Sequence, residues 1–436
     1  MIRPLLLVIA LGSAACAAAQ VPYGNEWIDH DRQYWRFEVF STGLHRIDSA
    51  ALASSGFPIT SIDPKDLMLF GREKQVPLYI QGGEDGVLNT GDFIEFIGRQ
   101  NDGWIDVRQY GNAQQHSNPY YSQFNDTIRY FLTWDPNEAV HKERVLPYVN
   151  TDFASYTAKP WVWGLGIRSC NDYYWPGYVE RPFNASTGLA GPGEGWGGGP
   201  MYNETPGSAT DQSVVTETPR TFTGTDAPMA QVTVTSSALS NDGDDFYLDH
   251  HLQIFAGPTL STNYVDSIFR GTVVLRNSFE VPVSYLAGGS FTTRLSVPHD
   301  LTAVGQVGSA TPNYLDWQVP SAITVRYPRD LQGTGSGPLD FWTPNETGEV
   351  VSRLDIGGFS GTPILYSAGD TTRRIEPTSA GSVWNALVPV HADSATTKNC
   401  LFAAEGTRSI TALTPVNGDG YFVNYGDMDP DSAFLI

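Results

Sequence analysis

The amino-acid sequence predicts a mostly β, multi-domain protein: a β-rich N-terminal module with one short helix, a jelly-roll-like β-sandwich, and then a smaller β segment. Three observations carry this expectation. Glycine (44) and proline (29) are abundant, aromatic residues make up 12% and charged residues only 17%, a composition of short strands joined by turns rather than of long helices. Polar and apolar residues alternate in runs such as YWRFEVF at 34–40, the period of a half-buried strand. Gly, Asp and Asn turns recur at intervals of roughly 10 to 20 residues, the spacing of sandwich strands.

Taken in order, residues 1–19 have the layout of a secretory signal peptide: Arg3, an apolar stretch at 5–11, and the small-residue end Ala17-Ala18-Ala19. Cleavage after Ala19 and export are expected. The apolar stretch falls short of the roughly 20 residues that span a bilayer, and no later segment comes close, so no membrane span is expected.

Residues 20–149 form the first module. One helix is expected at 49–54, with Asp48 as N-cap, Gly56 as the left-handed stop and Pro58 beyond it. Strands are expected at 34–40, 67–70, 76–80, 93–97 and 129–134. The second unit, 150–332, is the sandwich, with strands at 231–235, 250–255, 271–276, 291–297 and 321–327. Its GLAGPGEGWGGGP stretch at 188–200 reads as a long surface excursion. Gly193, Gly195 and Gly198 match G-x-G-x-x-G there, but the match neither follows a strand nor opens a helix, so a dinucleotide site is rejected. The Gly/Ser/Pro stretch at 333–338 reads as a linker into the third β segment, 333–428. Residues 429–436, DPDSAFLI, pass from an acidic turn into an apolar run that reads as the opening strand of a further domain.

The formal net charge is −21, or −22 without Arg3, which repels a polyanion over most of the surface and excludes nucleic acid as a partner. After cleavage two cysteines remain, Cys170 and Cys400. Export permits a disulfide between them, and two buried free thiols are the alternative. His250 and His251 are adjacent on a strand, so they face opposite ways and cannot chelate one ion together; one packed inside and one in water is the expectation. Three acidic clusters have calcium-type donors: Glu84-Asp85 with Asn89 and Asp92; Asp242, Asp244 and Asp245; and Asp427, Asp429 and Asp431. The last opens as D-x-D-x-D, but Ser432 stands at the sixth position where a calcium loop has glycine, so solvated turns are the expectation and calcium the alternative. No cofactor is expected otherwise. Neither G-x-S-x-G nor H-E-x-x-H occurs. Trp161, Trp163, Tyr173, Tyr174 and Trp175 could stack on a sugar or peptide, but read first as packing residues.

Residues 76–104, VPLYIQGGEDGVLNTGDFIEFIGRQNDGW, followed by NPYYS at 118–122 and YFLTW at 130–134, resemble the N-terminal region of the type IX secretion sortases of Bacteroidota, members of the gingipain family of cysteine peptidases. GNEW at 24–27, GLHRI at 43–47, the His250-His251 strand, YLDW at 314–317 and RYPR at 326–329 continue the similarity in order. The resemblance implies a β-rich region preceding an α/β caspase-like peptidase domain, whose first strand resembles residues 433–436. It also implies a location from periplasm to outer-membrane surface. The implied partners are that peptidase domain, type IX outer-membrane components and secreted cargo whose C-terminal sorting domains the parent removes. The family's catalytic histidine precedes a glycine, and no histidine of this chain does; no catalytic residue is carried over. A non-catalytic region that positions or restrains a peptidase is therefore expected. The alternative is a free-standing surface protein whose β-sandwich binds a glycan or peptide.

Overall fold

The computed structural model describes residues 24–177, 189–202, 208–241, 248–301 and 316–425. The expected signal peptide (1–19), the Asp242/Asp244/Asp245 cluster, Asp427, Asp429 and Asp431, and the strand opening at 429–436 lie outside the described residues.

The fold is mostly β, with one short α-helix at Ser49–Ser54. That helix forms where capping predicts it: the Asp48 carboxylate accepts from the Ala51 N–H at 2.7 Å, and Gly56 takes φ +70° at the exit. It closes one end of a two-sheet module. One sheet orders strands Thr414–Pro415, Trp35–Val39, Ile128–Trp134, Leu67–Gly71 and Lys74–Val76; the other orders Arg408–Ser409, Gly43–Asp48, Phe93–Gly98 and Tyr79–Gln81. Alternation drives Phe37, Leu69, Ile94, Phe96 and Leu132 into the space between them. The expected single strand at 76–80 is in fact two strands in different sheets. Pro77 has no N–H to continue a ladder, so the chain changes sheets there.

Both sheets of this module are completed from the far end of the chain. Strand Arg408–Ser409 pairs in parallel with His45 and Arg46, and Thr414–Pro415 pairs antiparallel with Trp35 and Arg36. Beyond them Phe422 packs against Trp27, Tyr34 and Phe131 at ring separations of 5.8, 5.2 and 5.4 Å.

A nine-stranded sheet forms the rest of the framework, in the order Val273–Val281, Ala230–Ala238, Gln318–Arg329, Val162–Ser169, Leu339–Pro344, Thr396–Ala403, Pro363–Ala368, Thr372–Ile375, Val145–Pro147. Two four-stranded sheets cover one face of it side by side. Strands Thr210–Glu217, Ser290–Val297, His250–Ala256 and Thr262–Phe269 enclose a core of Val232, Ile254, Leu295 and Ile323. Strands Gln332–Gly335, Val351–Phe359, Val383–Pro389 and Thr378–Ala380 enclose Phe341, Leu354, Leu365 and Leu401. Two sandwiches thus share one sheet. The stretch expected to act as a linker contributes to it: Gln332–Gly335 is a strand lying parallel to Val351–Phe359.

The glycine-rich excursion also contains structure. Glu194–Gly197 pairs antiparallel with Tyr173–Pro176. Gly195 takes φ +126°, a value that favours glycine, and a Cβ on Gly197 would come within 3.2 Å of the Pro320 carbonyl oxygen. Turn-forming glycines therefore serve close strand approach.

Candidate functional site

The other face of the nine-stranded sheet carries the chemistry. Alternation that sends Val162, Phe341, Leu365 and Leu401 into a sandwich core turns Trp163, Trp342, Lys398, Cys400 and Tyr366 the opposite way. Part of this outer face packs on the first module, where Tyr366, Cys400 and Phe402 meet Leu44 and Ile97. A fully buried carboxylate locks the junction. Glu95 accepts from Arg46 at 2.7 Å, from the Tyr366 hydroxyl at 2.6 Å and from Arg374 Nε at 3.0 Å. Burial and the neighbouring Glu95 charge push the Tyr366 phenol well up, so it remains a donor.

Beside this junction the two bodies leave a cleft of about 530 Å³, lined among others by Arg72, Lys74, Arg99, Trp104, Tyr366 and Lys398. Arg72 reaches it from the turn between Leu67–Gly71 and Lys74–Val76, held by a bidentate pair to Asp102 at 2.8 and 3.0 Å. Asp340 lies within 3.4 Å of Arg99 and 3.5 Å of Lys398. Lys74 is exposed, and among the described residues its side chain has no ion pair or hydrogen bond. The indoles carry cations on their faces: Arg72 over Trp104 at 5.2 Å, Lys398 over Trp342 at 5.6 Å and Arg326 over Trp163 at 4.5 Å. Of these cations Arg72 and Lys398 line the cleft.

The two cysteines are free and buried, Cys170 in the first sandwich core and Cys400 at the cleft wall. Burial, with Asp172 adding to it, raises the Cys170 thiol to about 11. Burial and Asp340 raise Cys400 to about 12, against the opposing pull of Lys398 and Arg99. Because the thiolate is the nucleophile, both are held in the unreactive form at neutral pH.

His250 and His251 alternate across the sheet as expected, yet both are buried, at 0% and 4% exposure. This corrects the expectation that one would face water. Its cause is a shell of carboxylates. His250 Nδ1 is hydrogen-bonded with Asp316 at 2.8 Å and its Nε2 with the Ser240 carbonyl at 3.0 Å; His251 is hydrogen-bonded with Asp300 at 2.7 Å and with Asp266 at 2.8 Å. Burial works against charge on each ring. The hydrogen bonds and charge of Asp316 for His250, and of Asp300 and Asp266 for His251, outweigh it and raise both pKa values. Each ring nitrogen already has an oxygen partner, so a metal could bind only by displacing one of these contacts. Asp316 is further engaged by the His251 N–H and the Gln318 amide.

At 84–92 the acidic side chains cap their own turn: Asp85 and Asp92 accept from Val87, Asn89 and the Asn89 amide between 2.7 and 3.2 Å. Among the described residues no group of three or more metal-ligating side chains converges. Trp161 and Trp163 pack edge to face at 5.1 Å, and Trp175 meets Trp317 at 6.1 Å. Tyr173 and Tyr174 are exposed. Arg72, Lys74, Arg99, Trp342 and Lys398 carried no sequence signal, because they converge from segments hundreds of residues apart and only register places them together.

No family model matches the chain, and no curated protein matches it. Among solved structures the chain is similar to dimeric latent PorU from Porphyromonas gingivalis, at 11% identity and a TM-score of 0.47, over 89% of this chain and 34% of that one. The chain therefore spans about a third of the length of the protein it matches.

Proposed function

We propose that this chain is a non-catalytic β-rich region of a gingipain-like type IX secretion sortase, whose task is to hold and position a peptidase domain. The supporting sequence observation is the ordered run of motifs at 76–104, 118–122 and 130–134. The observation that carries the positioning role is the return of strands Arg408–Ser409 and Thr414–Pro415 into the two sheets of the first module. A domain attached after residue 425 would leave from a fixed point beside Phe422, within the aromatic cluster of Trp27, Tyr34 and Phe131. Cys170 and Cys400, both buried with raised pKa values, agree with a nucleophile supplied from elsewhere. By the same reading, cargo whose C-terminal sorting domain is removed would meet the parent at that domain.

Reading the gene past the codon for Ile436 tests this. An in-frame α/β domain with a His-Gly motif followed by a cysteine is expected. A stop codon at that point would contradict the proposal and favour a self-contained binding protein.

A further inference from the structure

We propose that the cleft between the Arg72-Glu73 turn and the outer face of the nine-stranded sheet binds an acidic peptide segment, its carboxylates met by Arg72, Lys74, Arg99 and Lys398. This goes beyond the proposed family role and does not depend on it. Four independent features support it.

The first is charge. In a chain of net charge −21, four cations converge on one cleft, and the carboxylates paired with them there are Asp102 and Asp340. Lys74 is left for a ligand. The second is the use of the indoles. A neutral sugar is held by stacking on an open aromatic face, but Trp104 in the cleft wall has Arg72 over its ring, and the cleft cation Lys398 lies over Trp342. They serve as platforms that aim charge, which selects an anion. The third is the wall chemistry. Val76, Ile97 and Val145 give the cleft an apolar side, suited to the methylenes of glutamate and the body of a peptide rather than to inorganic phosphate. Its volume of about 530 Å³ fits a few residues and lies in the range of roughly 300–1,000 Å³ for small-ligand sites.

The fourth is backbone strain at the wall. Gly71 pairs with Lys74, so Arg72 and Glu73 are a two-residue hairpin turn, and both have positive φ, 53° and 64°. Such a turn favours Asn-Gly, and non-glycine residues held there are strained. The strained geometry is fixed from both sides, Arg72 by Asp102 and Glu73 by a bidentate pair with Arg108. Its product is an arginine aimed into the cleft.

Calorimetric titration of the whole chain at low ionic strength, with acetyl-tetraglutamate amide as probe, tests the site. Acetyl-tetraglutamine amide, trigalacturonate and inorganic phosphate are the comparison ligands. Tetraglutamate is expected to bind one to one and to lose affinity as salt is added. Lys74→Glu, at an exposed and unpaired position, should retain the wild-type circular dichroism and weaken binding about tenfold by placing like charge against the ligand. The proposal is overturned if tetraglutamate does not bind the folded wild type, if tetraglutamine or phosphate binds as well, or if folded Lys74→Glu binds as tightly. Tighter binding of trigalacturonate would reassign the cleft to an acidic glycan and equally overturn it. None of these outcomes bears on what the gene encodes past Ile436, so the two proposals fail separately.

Discussion

Glu95 is a charge at 0% exposure whose two oxygens are satisfied by Arg46, Arg374 and Tyr366. Removing Glu95 leaves the buried Tyr366 hydroxyl without its acceptor, while Arg374 keeps Glu376 and Arg46 is partly exposed. Glu95→Ala is therefore expected to destabilise the protein by about 1–3 kcal/mol in denaturant unfolding. The histidine network adds a pH dependence of defined sign. His250 and His251 have raised pKa values in the fold, so their stabilisation is fully present below the unfolded value of about 6.5 and is lost as pH rises through the folded values. Asp266, lowered first by its bond to His251, loses its share as pH falls through the acid range. Melting temperature measured from pH 5.5 to 9 should decline as pH rises above about 6.5, and His251→Gln should flatten the decline. The thiols give a third expectation: under native conditions at pH 8 neither Cys170 nor Cys400 is alkylated, and both react after denaturation without prior reduction, read by mass. A mass that rises only after reduction would mean a disulfide.

At the scale of single elements, the local signals were legible and the long-range ones were not. The helix at Ser49–Ser54 was readable because both of its ends are written locally: Asp48 supplies the oxygen and Gly56 the left-handed exit. Asp48→Ala should cost about 1 kcal/mol. The split at Pro77 and the strand Glu194–Gly197 were not readable, because each depends on a partner far along the chain. Gly71 illustrates the packing that decides such cases. A Cβ there would stand 2.4 Å from the Tyr130 ring, and Tyr130 is fully buried and bonded through its hydroxyl to the Arg99 N–H at 2.9 Å. Gly71→Ala should therefore destabilise by about 1–3 kcal/mol through overpacking, checked by thermal unfolding.

The whole molecule is built on two closures. One sheet serves two sandwiches, so the second and third segments, distinct in composition, are continuous in hydrogen bonding through the Trp342 and Trp163 pair. The first module, compact by sequence pattern, is completed by strands from beyond residue 407. Mostly-β architecture was evident from period-two runs and turn residues. The cleft was not, since Arg72, Arg99 and Lys398 meet only through the docking of the module on the sheet. Hydrogen exchange on the intact chain tests the second closure most directly. The amides of Ile410 and Val416 donate to the Arg46 and Tyr34 carbonyls at 2.8 and 3.0 Å. If the C-terminal strands belong to the module, these amides exchange as slowly as those of the central strand Ile128–Trp134, through the same opening event. Fast exchange at Ile410 and Val416, with 128–134 still protected, would contradict a fixed exit point for whatever follows.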